Sequence, residues 1–368
     1  MASQKPYRFI ISGGGTGGHI YPAIAIADCI KQKQPAAEIL FVGAEGKMEM
    51  QKVPAAGYKI FGLPIAGIQR SLTLKNLSFP FKLLSSLRQA RKIVRNFKPD
   101  AVVGVGGYAS GPILRAASSA GVPCLLQEQN SYAGLTNKWL KNKVQHICVA
   151  YEGMEAYFPE QKLKLTGNPV REGLMDLPKK DEAYKVFNLT AARPTIMLMG
   201  GSLGARTLNE SVLNFLAEIN EAEVNFIWQC GKFYENEMLE RSKKDIGAYI
   251  KLMPYIENME MAYAAADLII SRSGALSVSE LAIVGKPVIF VPSPNVAEDH
   301  QTKNAKSLVD NDAALLIKDS EAVEQLVPEA LALLSDKERC AELATNISRM
   351  AKPNATTAIV ETLLSMVK

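Results

Sequence analysis

The chain has 368 residues, 48% of them apolar and 21% charged, with 26 Gly and 19 Pro, a balance that excludes disordered, collagen-like and coiled-coil classes. That length suits two domains of about 150–200 residues each. The formal net charge of +5 conceals two opposed halves: residues 1–170 carry 21 basic and 9 acidic side chains, net +12, and residues 171–368 carry 21 and 28, net −7. Five scattered cysteines (Cys29, Cys124, Cys148, Cys230, Cys340) form no C-x-x-C pair, which argues against a disulfide framework or a zinc ribbon. No apolar run approaches ~18 residues and no signal-peptide core precedes the first strand, so the expectation is a reduced, cytoplasmic chain that does not span a membrane.

Short apolar runs alternate with helical patterns. Phe9-Ile-Ile, Ile39-Leu-Phe-Val, Ala101-Val-Val, Pro123-Cys-Leu-Leu and Ile147-Cys-Val predict one parallel sheet. Thr195-Ile-Met-Leu-Met, Asn225-Phe-Ile-Trp, Asp267-Leu-Ile-Ile, Pro287-Val-Ile-Phe-Val and Ala313-Ala-Leu-Leu-Ile predict a second, so the fold class is α/β with two doubly wound, Rossmann-like domains. A boundary is expected at 166/167, where Gly, Asn and Pro cluster and the charge changes sign, giving domains 1–166 and 167–352. Residues 353–368 read as a terminal helix.

The first strand runs into Gly13-Gly-Gly-Thr-Gly-Gly18, which satisfies G-x-G-x-x-G ahead of a helical stretch Ala23–Lys31, the context of a dinucleotide turn with Glu45 as a ribose partner. The turn has more glycines than that motif needs, and His19 follows it. Dense glycine lets a large anionic or sugar group approach the backbone, while an imidazole brings acid–base chemistry near neutral pH; the plain alternative is a tight strand–helix turn.

Residues 50–99 hold ten basic side chains and no acid. Within them Leu83, Leu87, Ala90, Val94 and Phe97 predict an amphipathic surface helix. Upstream, Leu72, Leu74, Leu77, Phe79 and Phe81 lie among Lys75 and Lys82 in an irregular, Pro80-containing stretch. Exposed apolar residues amid cations suit an anionic membrane surface; nucleic acid is the poorer fit, because few aromatics or amides interleave the basic residues. His146-x-Cys148 reads as a buried strand rather than a metal pair.

In the second half, Gly200-Gly-Ser-Leu-Gly-Ala-Arg206 repeats the glycine-rich turn, as an anion or sugar-hydroxyl site or a plain turn. Ser271-Arg-Ser-Gly-Ala-Leu-Ser-Val-Ser-Glu280 places Ser273 as the N-cap of a helix closed by Gly285 and Pro287, so free N–H groups would meet a diphosphate without a metal. Glu280 is either an acceptor for ribose hydroxyls or a solvated helix acid. Asp310-Asn-Asp312 spells a D-x-D, but between a helix and a strand it reads as turn chemistry; no metal site and no cofactor are expected.

Taken in order, Gly13–His19, Gly106-Gly-Tyr-Ala-Ser-Gly-Pro112, Glu128-Gln-Asn130, Gly134-Leu-Thr-Asn-Lys138, Gly167-Asn-Pro-Val-Arg171, Gly200-Gly-Ser202, Arg272–Glu280 and Asp299-His-Gln301 span most of the chain. As an ordered set they resemble the MurG family, bacterial transferases that add N-acetylglucosamine to the undecaprenyl-pyrophosphoryl-muramyl-pentapeptide carrier, lipid I, giving lipid II. The resemblance implies a GT-B fold with two domains facing a central cleft, and inverting, metal-independent transfer from UDP-N-acetylglucosamine. It implies donor contacts at Thr16, Gly17, Gly18, Asn130, Arg171, Ser202, Ile256, Ala275, Leu276, Ser277, Val278, Ser279, Glu280 and Gln301. It further implies a membrane-facing patch at Leu72, Leu74, Lys75, Leu77, Phe79, Phe81 and Lys82, peripheral attachment to the cytoplasmic face of the inner membrane, and a last helix that returns to the first domain. Two positions depart from the family pattern: Gln127 stands where His is common, and Ser277 where Thr is common.

For an acceptor hydroxyl to attack, a base must take its proton; His19 is the first candidate and Glu128 the second. Two other readings compete: a non-hydrolysing UDP-sugar epimerase, which needs no lipid acceptor, and a noncatalytic membrane-associated nucleotide-sugar-binding protein.

Overall fold

The computed structural model describes residues 5–65, 79–171, 173–201, 203–296 and 299–367. Leu72, Leu74, Lys75, Leu77 and Ser202 lie outside the described residues, as does the side chain of Phe79. Two compact units emerge: the first runs to Arg171 and takes in the chain from Pro353 onward, and the second lies between them. The break therefore falls after Arg171, five residues past the step at Thr166 taken from composition. The intervening segment stays with the first unit, where the buried Asn168 accepts from Gln127 Nε2 at 2.9 Å and donates to the Gln129 carbonyl at 3.0 Å.

In the first unit β1 (Arg8–Ser12), α1 (Gly17–Lys33), β2 (Glu38–Ala44), α2 (Glu49–Ala55), β3 (Lys59–Leu63), α3 (Phe79–Phe97), β4 (Ala101–Gly104), α4 (Ser110–Ser119), β5 (Cys124–Glu128), α5 (Leu135–Leu140), β6 (His146–Val149) and β7 (Leu163–Leu165) follow in order. The strands form one parallel sheet ordered β3-β2-β1-β4-β5-β6-β7. Phe9, Ile10 and Ile11 are fully buried because helices cover both faces, which is why these strands read as continuous apolar runs and not as alternation. Burial also pushes the Cys124 and Cys148 thiols up to about 12, leaving them protonated.

The second unit holds α6 (Lys180–Phe187), β8 (Thr195–Met199), α7 (Arg206–Asn214), α8 (Leu216–Glu221), β9 (Asn225–Gln229), α9 (Glu235–Ser242), β10 (Ile250–Met253), α10 (Met259–Ala265), β11 (Leu268–Ser271), α11 (Ala275–Val284), β12 (Val288–Phe290), α12 (His300–Val309), β13 (Leu315–Leu316), α13 (Asp319–Ser335) and α14 (Lys337–Arg349). Its parallel sheet is ordered β10-β9-β8-β11-β12-β13. The last helix, α15 (Ala355–Leu364), packs on α1 in the first unit, burying Ile359, Val360 and Leu363 with Ile20 and Ile26. A surface Lys33–Glu361 pair at 2.9 Å also joins α1 to α15.

Several expectations are corrected. Helix α1 begins at Gly17, six residues before the expected Ala23, so His19 stands in its first turn and not on a loop. Phe79, Pro80 and Phe81 open α3 instead of lying in an irregular stretch, Pro being tolerated in a first helical turn where its missing N–H has no intrahelical partner. Strands β3, β7 and β10 went unpredicted. Each lies at a sheet edge, where partial exposure dilutes the apolar signal.

Candidate active site

In an open parallel sheet, ligands gather beyond the carboxyl ends of the strands where the strand order reverses. In the first unit that point lies between β1 and β4, where Ser12 pairs with Gly104, and the turns leaving these two strands meet there. Gly106 and Gly107 adopt φ of 99° and 85°. Any side chain on Gly106 would strike the His19 ring, with Nε2 2.6 Å from the hypothetical Cβ, and one on Gly107 would strike the Gly14 carbonyl. The Ser110 hydroxyl, 2.9 Å from Ser12 O and 2.8 Å from Gly106 O, pins both turns. Thr16 caps α1 with extended backbone (φ −144°, ψ 158°), and its Oγ1 lies 3.1 Å from His19 Nδ1, orienting a half-buried imidazole.

The glycine turn is not an empty anion cradle. Glu49, wholly buried at the start of α2, accepts from Gly15 N–H at 2.9 Å and from Ala44 N–H at 3.0 Å. Gly14 and Gly43 make room for it, since a Cβ at either would overlap the Glu49 side chain. A carboxylate already occupies the donors that a dinucleotide phosphate would need, and Glu45, the candidate ribose partner, is exposed beyond β2. Nothing local in the chain marks Glu49 except that it is the last acid before the acid-free run.

Glu128, at the end of β5, is 2% exposed. Its Oε1 accepts from Asn130 N–H at 3.2 Å and Asn130 Nδ2 at 3.4 Å, and its Oε2 from Gly134 N–H at 2.9 Å and Asn137 Nδ2 at 2.8 Å. Burial raises its pKa above the ordinary 4.5, opposed by those donors. The carboxylate thus organises the Asn130–Asn137 loop. Beside it Gln127 is fully buried in an amide cluster with Gln129 and Asn168, so a neutral side chain fills the place where a base could have stood. Arg171 is exposed at the end of this unit.

In the second unit the order reverses between β8 and β11, where Ser271 pairs with Met199. The turn after β8 is set by Gly201 and Gly204 (φ 85° and 83°); Gly204 lies against Cys230 O, which Asn209 Nδ2 also reaches at 2.9 Å. After β11, helix α11 starts at Ala275 with Gly274 as its cap (φ −61°, ψ 146°). Ser273 is therefore not the N-cap: its hydroxyl donates to Gln301 O at 2.9 Å, tying the turn to α12. Among the described residues no side chain caps α11, and no acid occupies its first turn, so the helix's own first turn adds no negative charge at the positive end of the dipole. Ala275, Leu276, Ser277 and Ser279 are half-buried, and Val278 faces the core.

Glu280 is no solvated acid: it is 8% exposed, and Tyr263 Oη donates to its Oε2 at 3.2 Å. Gln301 Oε1 accepts from Ser293 N–H at 2.8 Å, fixing its amide. Arg272 points into the fold, donating to Val291 O at 2.9 Å and Pro292 O at 3.1 Å and pairing with Asp319 at 2.5 Å; Thr207 Oγ1 donates to Asp319 in turn. Ile256 is buried beyond β10. Asp312, of the D-x-D, has φ 51° and pairs with Arg339, as turn chemistry requires. Among the described residues no helix is long and apolar enough to cross a membrane.

Comparison with known proteins follows the same division. The glycosyltransferase family 28 N-terminal domain matches residues 9–149, and the family 28 C-terminal domain matches residues 195–359. A protein of Cytophaga hutchinsonii, 55% identical over all of this chain and 99% of its own, is a UDP-N-acetylglucosamine--N-acetylmuramyl-(pentapeptide) pyrophosphoryl-undecaprenol N-acetylglucosamine transferase. A protein of Parabacteroides distasonis with the same name is 53% identical over 99% of both chains. The crystal structure of Acinetobacter baumannii MurG superposes with a TM-score of 0.78 at 31% identity, covering 98% of this chain and 100% of that one.

Proposed function

Since this chain belongs to glycosyltransferase family 28, in its MurG branch, and has the GT-B fold, we propose that it transfers N-acetylglucosamine by direct, inverting displacement that draws its electrostatics from α11. The activity is N-acetylglucosamine transfer from UDP-N-acetylglucosamine to lipid I in peptidoglycan synthesis, and the epimerase and binding-protein alternatives are not favoured. The observation that carries the mechanism is the start of α11, a helix of ten residues without side-chain cap or first-turn acid, set at the switch point of the second sheet.

The muramyl C4 hydroxyl attacks the anomeric carbon as the bond to the UDP oxygen breaks. His19, held through Nδ1 by Thr16, takes the hydroxyl proton. The charge gathering on the departing diphosphate is met by N–H groups of Ala275, Leu276 and Ser277, with Arg171 adding a cation. Glu280, held by Tyr263, accepts from ribose hydroxyls. Thr16, Gly17, Gly18, Asn130, Ser202, Ile256, Val278, Ser279 and Gln301 complete the donor contacts we assign. Glu128 serves as a positioning residue for Asn130, because all four of its hydrogen bonds hold its own loop.

The +12 half is assigned to acceptor and membrane, and the −7 half to donor. Phe81, 77% exposed, and the exposed Lys82 support attachment to an anionic surface at the cytoplasmic face of the membrane. Labelled UDP-N-acetylglucosamine with and without a lipid I analogue tests the chemistry: UDP release must depend on acceptor. Epimerisation without acceptor, or binding without turnover, would sink it. Vesicle binding that ignores salt and Lys82→Glu would remove the electrostatic part.

A further inference from the structure

Helix α5 exposes two large apolar side chains, Leu135 at 60% and Trp139 at 67%. Four residues apart, they occupy one face of the helix, while Asn137 and Leu140 turn inward. Cations surround them. Lys138 Nζ stands 4.0 Å over the Tyr132 ring and 4.7 Å over that of Tyr157, Lys141 donates to Tyr157 O at 3.0 Å, and Lys143 is exposed.

Residues 50–151 contain fourteen Lys and Arg and only two acids, Asp100 and Glu128. Neither of these two opposes this face, and the exposed Glu152, Glu155 and Glu160 follow in the segment that carries Tyr157. Asp100 accepts from Arg8 N–H ahead of β4, at the amino end of the strands, and Glu128 is buried among its own donors. Helix α5 packs against α4, and α4 against α3, with Ala90, Ile93, Ile113, Leu114 and Leu140 in one core. The α5 face thus belongs to the same helical layer as the exposed Phe81 and Leu84 of α3.

We propose that the Leu135–Trp139 face of α5, with Lys138, Lys141 and Lys143, is a second lipid-contacting element that seats on an anionic bilayer surface. The proposal rests on the membrane-surface reading above and extends it to a separate helix. An indole suits the boundary between acyl chains and head groups, being apolar in body and a donor at one edge, and each nearby Lys adds about 1 kcal/mol of attraction to an anionic leaflet.

The chain carries its own reporter. Of its two tryptophans, Trp228 is fully buried with its indole N–H donating to Asn209 at 2.9 Å, so a change in emission on adding vesicles belongs to Trp139. With phosphatidylglycerol–phosphatidylcholine vesicles, emission should shift to the blue and iodide quenching should fall. Trp139→Phe should abolish the shift. Trp139→Ser and Leu135→Ser should each weaken vesicle binding by about tenfold, consistent with the apolar area withdrawn, while thermal unfolding and turnover of a short-chain acceptor stay as in the wild type. Protein that sediments with vesicles while Trp139 keeps its free emission and quenching, and whose serine variants bind normally, would overturn the proposal and leave the α3 reading standing. Absence of vesicle binding altogether would overturn both.

Discussion

Two turns border the switch points of the two sheets, one after β1 and the other after β11, and they treat negative charge in opposite ways. After β1 the Gly13–Gly18 turn is filled from within, by the buried carboxylate of Glu49 on Gly15 N–H. After β11 the start of α11 has neither a capping side chain nor an acid in its first turn. Strand–helix turns beside a switch point are therefore not equivalent anion sites. What separates them is that the first turn is met by a buried acid of the same unit, whereas α11 places no acid in its own first turn.

The comparison assigns chemistry to the first turn and charge neutralisation to the second, so the largest effect should come from His19. His19→Ala is expected to lower kcat by about 10²–10⁴-fold with little change in the donor KM, because a base acts in the transition state alone. Steady-state kinetics with a lipid I analogue decide it; a kcat near wild type would strip the first turn of its catalytic role.

Next in size is the internal anion. Glu49→Ala leaves the N–H groups of Gly15 and Ala44 unpaired, at about 1–3 kcal/mol for each buried donor, and should lower the midpoint of thermal unfolding by several degrees. An unchanged midpoint would mean the first turn does not depend on its carboxylate, and the contrast with α11 would collapse. Gly274→Asp should do the reverse. Its Cβ would meet only Ser277 Oγ, at 3.7 Å, and the new carboxylate would cap α11, raising stability by about 0.5–1 kcal/mol while competing with the diphosphate and raising the donor KM by about tenfold. A stabilised variant with an unaltered donor KM would show that the diphosphate binds elsewhere.

How far the sequence reached follows from how local each signal is. Strands buried on both faces announce themselves as apolar runs, and Gly285 closes α11 in the left-handed conformation (φ 66°) that its place in the sequence suggested. Lys59-Ile-Phe-Gly-Leu63 escaped because an edge strand exposes Phe61 and reads as mixed. Within the sites, residues in glycine-rich motifs were legible, but their supports were not. Glu49 meets Gly15 from 34 positions away, and Asp319 meets Arg272 from 47 away, distances at which only the folded topology decides who pairs with whom. Ser273 misled for the same reason: a serine before a helix is a natural cap, yet α12 offered its hydroxyl the Gln301 carbonyl.

The smallest expected effect concerns whether Glu280 is a ligand for the donor or a strut of the second unit. Tyr263 is fully buried, and its hydroxyl donates to Glu280 Oε2 at 3.2 Å from a helix seventeen positions earlier. Tyr263→Phe keeps the ring and its packing while removing one donor from the carboxylate, at a cost of about 1 kcal/mol. If Glu280 accepts from ribose, loosening it should raise the donor KM about threefold and leave kcat alone, since ribose contacts are made equally in ground and transition states. Glu280→Gln should then raise KM further than Tyr263→Phe does. Should both variants lower the unfolding midpoint while leaving KM untouched, Glu280 is a strut, and the donor's hold on the second unit contracts to the N–H groups that open α11.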